Sequence, residues 1–258
     1  MRILLLFLFL LITNFGVSQN PYSITIDKAS GLPSNSVYDI FQDSKGFMWF
    51  ATGKGLCRYD GKHTKVFTAD FQTSKSGSCI AEDAFGRIWY CNFDGYLYYV
   101  EKERIKALKQ PTSLGYFRFG IIKNELFLIQ LNAILVYDLK ILQLKYKHSI
   151  SDKQIRFCYA TKENFYVLGD YLYELDAKNT IKKYTLPNSF YDEIITPILS
   201  TWNNQLIINS KSNSTYYSFE KGTFSKFKLN IATNFIQNTA ITDNSFGFVR
   251  QMEFIKMI

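Results

Sequence analysis

Short segments rich in Val, Ile, Leu, Phe and Tyr recur along the chain, separated by clusters of Gly, Asp, Asn, Ser and Lys. Short apolar runs rich in β-branched and aromatic residues, bounded by turn formers, predict strands rather than helices. The clearest set lies in the first quarter. Val37–Gln42 is rich in strand formers and follows a polar stretch, so it reads as the innermost of four strands. Asp43-Ser44-Lys45-Gly46 suits a type I turn, with Asp first and Gly last. Phe47–Ala51 is the second strand, and Thr52-Gly53-Lys54-Gly55 is a connection whose glycines permit positive φ. Leu56–Tyr59 is the third strand, Asp60-Gly61 a two-residue hairpin signal, and Thr64–Thr68 the fourth strand.

The pattern then repeats. Asp43, Gly46, Trp49, Gly55 and Tyr59 return as Asp83, Gly86, Trp89, Gly95 and Tyr99, all at an offset of 40. A period of about 40 is the length of a four-stranded propeller blade. Later units are degenerate. They keep a two-strand rhythm at Leu126–Ile129 and Ile134–Asp138, at Phe165–Leu168 and Tyr171–Asp176, and at Leu206–Ile208 and Thr215–Phe219. Tyr99, Tyr137, Tyr173 and Tyr217 anchor these units at spacings of 38, 36 and 44. Clear repeats cover 24–68 and 79–100, and degenerate ones follow from about 113. A last blade opens at about 239 without room to finish. The expected fold is therefore all-β: a β-propeller of about five to six four-stranded blades, incomplete or partial. A four-stranded blade has two apolar faces and no core of its own, so blades must stack. Trp49 and Trp89 are expected between neighbouring blades.

Composition agrees. Apolar residues make up 47% and aromatics 17% of the 258, which excludes a disordered or collagen-like chain. Scarce Ala beside abundant Phe, Tyr and Ile favours strands. The balance of 30 Lys+Arg against 22 Asp+Glu gives +8, yet no basic run reaches five residues. A scattered excess reads as a lysine-coated surface. At the N-terminus, Met1-Arg2 precedes ten unbroken apolar residues, Ile3–Ile12, and Gly16 and Ser18 are small. This is the pattern of a secretory signal peptide spanning 1–18, cleaved after Ser18. The propeller then occupies 19–258, exported to the periplasm or cell surface. Export makes nucleic acid an improbable partner. Cys57, Cys79, Cys91 and Cys158 lack C-x-x-C spacing and read as free buried thiols, with a Cys79–Cys91 bridge as the alternative.

The first unit reads Gly31-Leu32-Pro33-Ser34-Asn35-Ser36-Val37, then Asp43-Ser44-Lys45-Gly46, then Trp49-Phe50-Ala51-Thr52 and Gly55-Leu56-Cys57-Arg58-Tyr59-Asp60. It resembles the two-component regulator propeller repeat, found in periplasmic sensor regions of hybrid two-component and histidine-kinase receptors of Bacteroidetes. The second unit keeps Asp83, Gly86, Trp89 and Gly95 but loses the Thr and the Arg-Tyr-Asp. Complete members of the family carry two propellers, a β-sandwich, a membrane helix and a cytoplasmic output. The resemblance therefore implies the N-terminal fragment of a sensor that takes an extracellular ligand, often an oligosaccharide. In the full-length receptor it would meet a partner domain or form a homodimer.

Chemistry is sparse. No Walker, zinc-protease, nucleophile-elbow or EF-hand motif occurs. His63 and His148 read as surface residues, and Asp39 and Asp43 do not read as a catalytic pair. No catalytic residue, metal site or cofactor is expected. Ligand binding is expected at an end of the central channel, on the loops joining second to third strands. Those loops supply Lys54, Phe93 and Asp94. The function expected is an exported sensor or recognition module without its own kinase. The alternatives are an exported propeller enzyme acting on polysaccharide, or a truncated, non-functional receptor fragment.

Overall fold

A computed structural model describes residues 25–109, 118–130, 133–152, 155, 157–194, 197–202, 205–210, 215–228, 238–242, 245–250 and 253–256. At 202, 210, 228 and beyond 237 it describes the backbone alone. The expected signal peptide lies outside these residues.

The chain folds into consecutive antiparallel sheets, each a simple meander. Blade 1 comprises β1 (Val37–Gln42), β2 (Met48–Thr52), β3 (Gly55–Tyr59) and β4 (Thr64–Phe67). Blade 2 comprises β5 (Gly77–Glu82), β6 (Ile88–Asn92), β7 (Leu97–Glu101) and β8 (Arg104–Ala107). Blade 3 follows with β9 (Phe119–Ile122), β10 (Glu125–Gln130), β11 (Ala133–Asp138) and β12 (Gln143–Ser149). Blade 4 has β13 (Phe157–Ala160), β14 (Asn164–Leu168), β15 (Tyr171–Asp176) and β16 (Ile181–Thr185). A four-residue helix, α1 (Phe190–Glu193), precedes blade 5. That blade holds β17 (Pro197–Trp202), β18 (Gln205–Ser210), β19 (Thr215–Glu220) and β20 (Thr223–Lys228). The last sheet has three strands, β21 (Asn238–Thr242), β22 (Ser245–Arg250) and β23 (Glu253–Lys256).

The strands of blade 1 fall within a residue of the positions expected from the sequence. The first strand of each blade neighbours the first strand of the next, from β1 through β5, β9, β13 and β17 to β21. These strands line a common axis. The fourth strands are exposed on the outside, β12 along nearly its whole length. The fold is an all-β propeller of five four-stranded blades and one three-stranded sheet. Among the described residues, no strand from one end of the chain pairs into a sheet at the other, as expected of a partial propeller.

The core lies between blades, as a self-insufficient sheet requires. Trp49, Ala51, Leu56 and Phe67 of blade 1 pack on Ile80, Tyr90 and Tyr98 of blade 2. The opposite face of blade 2, with Trp89, Cys91, Leu97 and Tyr99, packs on Phe119, Leu126, Leu128 and Leu135 of blade 3. Trp49 and Trp89 thus fill equivalent inter-blade positions, both about fully buried. Phe127 stacks on Phe165 across the next interface, ring centroids 5.2 Å apart. Blades 4 and 5 join around Leu168, Leu172, Ile208 and Phe219, with Phe190 of α1 inserted. Tyr99, Tyr137, Tyr173 and Tyr217 are all buried on the third strands of their blades. At the third interface the inner strands come so close that a Cβ on Gly120 would lie 2.6 Å from the Ala160 Cβ and the Phe165 ring.

Candidate functional site

Two ends of the blade stack must be distinguished. One carries the turns joining first to second strands. There, the Asp43 carboxylate accepts the Lys45 and Phe47 backbone N–H groups at 3.0 and 2.9 Å and the Trp49 indole N–H at 2.7 Å. Asp83 repeats this with Phe85, Arg87 and Trp89, at 2.9, 3.0 and 2.7 Å. One carboxylate therefore closes the turn and satisfies the donor of the ring that fills the inter-blade gap. Gly46 and Gly86 complete the turns at φ +87° and +73°, where a Cβ is strained. Blade 2 adds a buried ion pair: Arg87 Nε donates to Asp83 at 2.6 Å, and its Nη2 donates to the Leu139 carbonyl of blade 3. In blade 1 a different cation, Arg58, lies over the Phe47 and Trp49 rings.

The offset of 40 holds to Thr52 and Asn92 and then slips. Thr52 pairs with Gly55, whereas Asn92 caps a longer turn by accepting the Tyr96 N–H, with Gly95 at φ +80° inside it. Trp49 consequently stands opposite Arg58, and Trp89 opposite Tyr99, on which it stacks at 4.6 Å. Tyr99 is the spatial counterpart of Arg58. Tyr59 faces the other side of its sheet and donates its hydroxyl to the Gly61 carbonyl.

The other end carries the loops joining second to third strands and the connections between blades. Lys54, Phe93 and Asp94 all lie here. Lys54 and Asp94 are exposed and Phe93 is half-buried. Ser76 draws the two loops together: its hydroxyl donates to the Gly53 carbonyl at 2.7 Å, and its carbonyl accepts the Phe93 N–H at 3.0 Å. Ser36 accepts the Gly53 N–H in the same way one blade earlier. Phe93 packs edge-on against Tyr38 of β1, centroids 4.8 Å apart. Tyr38 is 48% exposed, and Phe71, in the connection between blades 1 and 2, is 57% exposed. This end thus carries exposed aromatic rings, a lysine and a carboxylate. Sequence reasoning passed over Tyr38, Phe71, Ser36 and Ser76. The two serines share the offset of 40, so the repeat itself held that signal.

None of Lys54, Phe93 and Asp94 lines the groove at the turn end. That groove, about 610 Å³, is bordered by Phe41, Ser44, Glu82, Ile121, Lys123 and Lys162. Glu82 is already engaged, accepting the Ser44 N–H and hydroxyl at 2.7 and 2.8 Å and so clamping blade 1 to blade 2. Along the axis, the Asp39 carboxylate accepts the Ile80 N–H of the next blade at 2.6 Å. Burial raises its pKa, against the pull of its backbone hydrogen bonds and of Arg118. Arg118 lies over the Phe157 ring at 4.1 Å. All four cysteines are free, three of them buried. Burial pushes the Cys57 thiol up to about 11 and raises Cys91 and Cys158 as well. Among the described residues, no cluster of His, Cys, Asp and Glu could hold a metal ion, and no helix is long and apolar enough to cross a membrane.

Solved structures share this fold. Virginiamycin B lyase from Staphylococcus aureus, solved as a catalytically inactive variant with quinupristin, superposes with a TM-score of 0.70 at 13% identity, covering 87% of this chain and 81% of that one. The extracellular domain of a putative one-component system from B. thetaiotaomicron gives 0.67 at 16% identity, covering 90% of this chain and 38% of that one. A putative hybrid two-component system of the same organism gives 0.64 at 16%, covering 91% and 35%. The chain therefore spans a little over a third of these two extracellular domains, and at such identities the likeness establishes the fold alone. No curated protein matches the sequence. Residues 31–54 match the family "two component regulator propeller". Blade 1 thus carries that repeat, from Gly31 through the Asp43–Trp49 turn to Lys54.

Proposed function

We propose that this chain is an exported recognition propeller, the ligand-sensing part of a two-component signalling receptor, and that its ligand is an extracellular oligosaccharide. The observation that carries the reading is the regulator-propeller repeat at 31–54. The fold shared with receptor ectodomains and the apolar leader at Ile3–Ile12 support it. The ligand site is the loop end. Tyr38 and Phe93 offer adjoining aromatic faces for a sugar ring, and Lys54 and Asp94 offer charged groups for its hydroxyls. Ser76 fixes the two loops against each other, so the site is preorganised by the blade interface.

The test is calorimetric titration of the purified chain with a panel of neutral and acidic oligosaccharides, beside a Tyr38→Ala/Phe93→Ala variant and a Lys162→Ala control in the turn-end groove. Binding that the double variant loses and the control keeps is the expected result. Binding lost with Lys162→Ala and kept by the double variant moves the site to the groove. Depolymerisation of any polysaccharide in the panel would replace the sensor reading with that of a propeller enzyme.

A further inference from the structure

The lysines that look scattered along the sequence are sorted radially by the fold. Among the outermost strands, β8 carries Arg104 and Lys106, β12 Lys145 and Lys147, and β16 Lys182 and Lys183. β4 and β20 add further lysines, and none of these five strands contains Asp or Glu. The five innermost strands β1, β5, β9, β13 and β17 contain no Lys or Arg. The fourth strands therefore carry a row of cations around the circumference.

Part of this row is neutralised locally. Lys106 pairs with Glu101 at 2.6 Å and Lys145 with Glu125 at 2.8 Å. Lys147, Lys182 and Lys183 are exposed and form no ion pair among the described residues. They lie on the adjoining blades 3 and 4. Lys183 Nζ comes within 3.4 Å of the Ser151 hydroxyl just beyond β12, and lies 3.5 Å from the centre of the Tyr171 ring. Tyr146, 41% exposed, shares the gap between blades 3 and 4 with Lys183, while Lys147 and Lys182 project from the opposite faces of their strands at the same rim. Lysines on an outer strand also block edge-to-edge sheet pairing, and charge of either sign does that.

We propose that the rim of blades 3 and 4 binds an acidic polysaccharide, a chain bearing uronate or sulfate groups laid across β12 and β16. A small anion at this open surface would meet one or two hydrated ammonium groups and gain little. A polymer meets several cations in turn, releases its counterions, and can rest sugar faces on Tyr146. The rim lies on blades 3 and 4, whereas Lys54, Phe93 and Asp94 lie on blades 1 and 2, and its polymer chemistry does not depend on what those loops bind.

The full chain is passed over immobilised heparin and alginate, with neutral dextran and phosphatidylserine vesicles alongside. Retention on the two acidic polymers that weakens steeply with salt is expected, with none on dextran and little on vesicles. The triple variant Lys147→Glu/Lys182→Glu/Lys183→Glu should lose at least about tenfold in affinity while light scattering shows it still monodisperse, because glutamates guard the edge as lysines do. A matched variant, Lys28→Glu/Lys45→Glu/Lys162→Glu, carries the same change in net charge elsewhere and should lose far less. Equal losses in the two variants, or vesicle binding as strong as polymer binding, would overturn the proposal. The Tyr38→Ala/Phe93→Ala variant should keep its retention, so failure at the rim and failure at the loop end read out separately.

Discussion

Blade 2 and blade 4 fill the gap to their next neighbour with different rings, and each ring dictates the polar chemistry around it. Trp89 brings an indole N–H into a buried space, and the turn residue Asp83 accepts it. Tyr166, in blade 4, brings a hydroxyl instead. It is received by Glu174 on the third strand at 3.0 Å, with Asn164 and Tyr184 joining the same carboxylate. Burial lifts the Tyr166 and Tyr184 hydroxyls to about 12, so both remain donors. With no indole to satisfy, the blade 4 turn dispenses with Asp. Thr161 closes it by accepting the Asn164 N–H at 2.9 Å. Blade 3 needs neither device. Phe127 has no polar atom, and a two-residue hairpin with Lys123 at φ +53° suffices. The Asp of the repeat is thus a partner to the Trp, and the two come and go together.

The largest effect should come from removing Asp83. Asp83→Ala strands the buried Arg87 guanidinium and the Trp89 N–H at once, and should cost about 3–5 kcal/mol in chemical denaturation. Asp43→Ala strands an indole but no buried cation, and should cost about half as much. Equal losses would break the distinction between the two turns. Gly120→Ala comes next: with Ala160 and Phe165 in the way, about 1–3 kcal/mol should be lost, read as a drop in melting temperature. Tyr166→Phe leaves Glu174 two other donors, and should cost about 1 kcal/mol. The smallest effect belongs to Glu103, which joins blade 2 to Arg58 and Lys65 of blade 1. Hydrogen bonds from Arg58 and Lys65 hold its carboxyl below the ordinary range. Its contribution is therefore present above that range and lost as pH falls through the depressed pKa. Glu103→Gln should cost about 0.5 kcal/mol at neutral pH, an exposed pair being worth little, and nothing measurable in acid.

Much of this was legible in the residues. The blade 1 strands followed from turn formers at Asp43–Gly46 and Asp60-Gly61, because turn chemistry is local. The matched Asp, Gly and Trp positions of the first two blades followed from the period of 40. What escaped reading is what only the third dimension supplies. One extra residue in the Asn92–Tyr96 turn shifts Tyr99 into register with Trp89, and an alignment at constant offset hides it. Leu32 and Phe50, an apolar pair, become Gln72 and Tyr90, joined by a hydrogen bond. Such paired change is invisible until the partners are seen together. The strand order alone supplies the place of Lys54, Phe93 and Asp94 on loops joining second to third strands. It does not supply Tyr38, which sits on a strand that reads as pure scaffold and meets Phe93 only in the fold.

Burial leaves three of the four thiols chemically quiet. Nucleophilic attack on a disulfide needs the sulfur in its anionic form. Cys57, Cys91 and Cys158 keep their protons at neutral pH because their surroundings exclude water. Once folded, the interior sulfurs of Cys57, Cys91 and Cys158 are therefore slow to enter thiol–disulfide exchange.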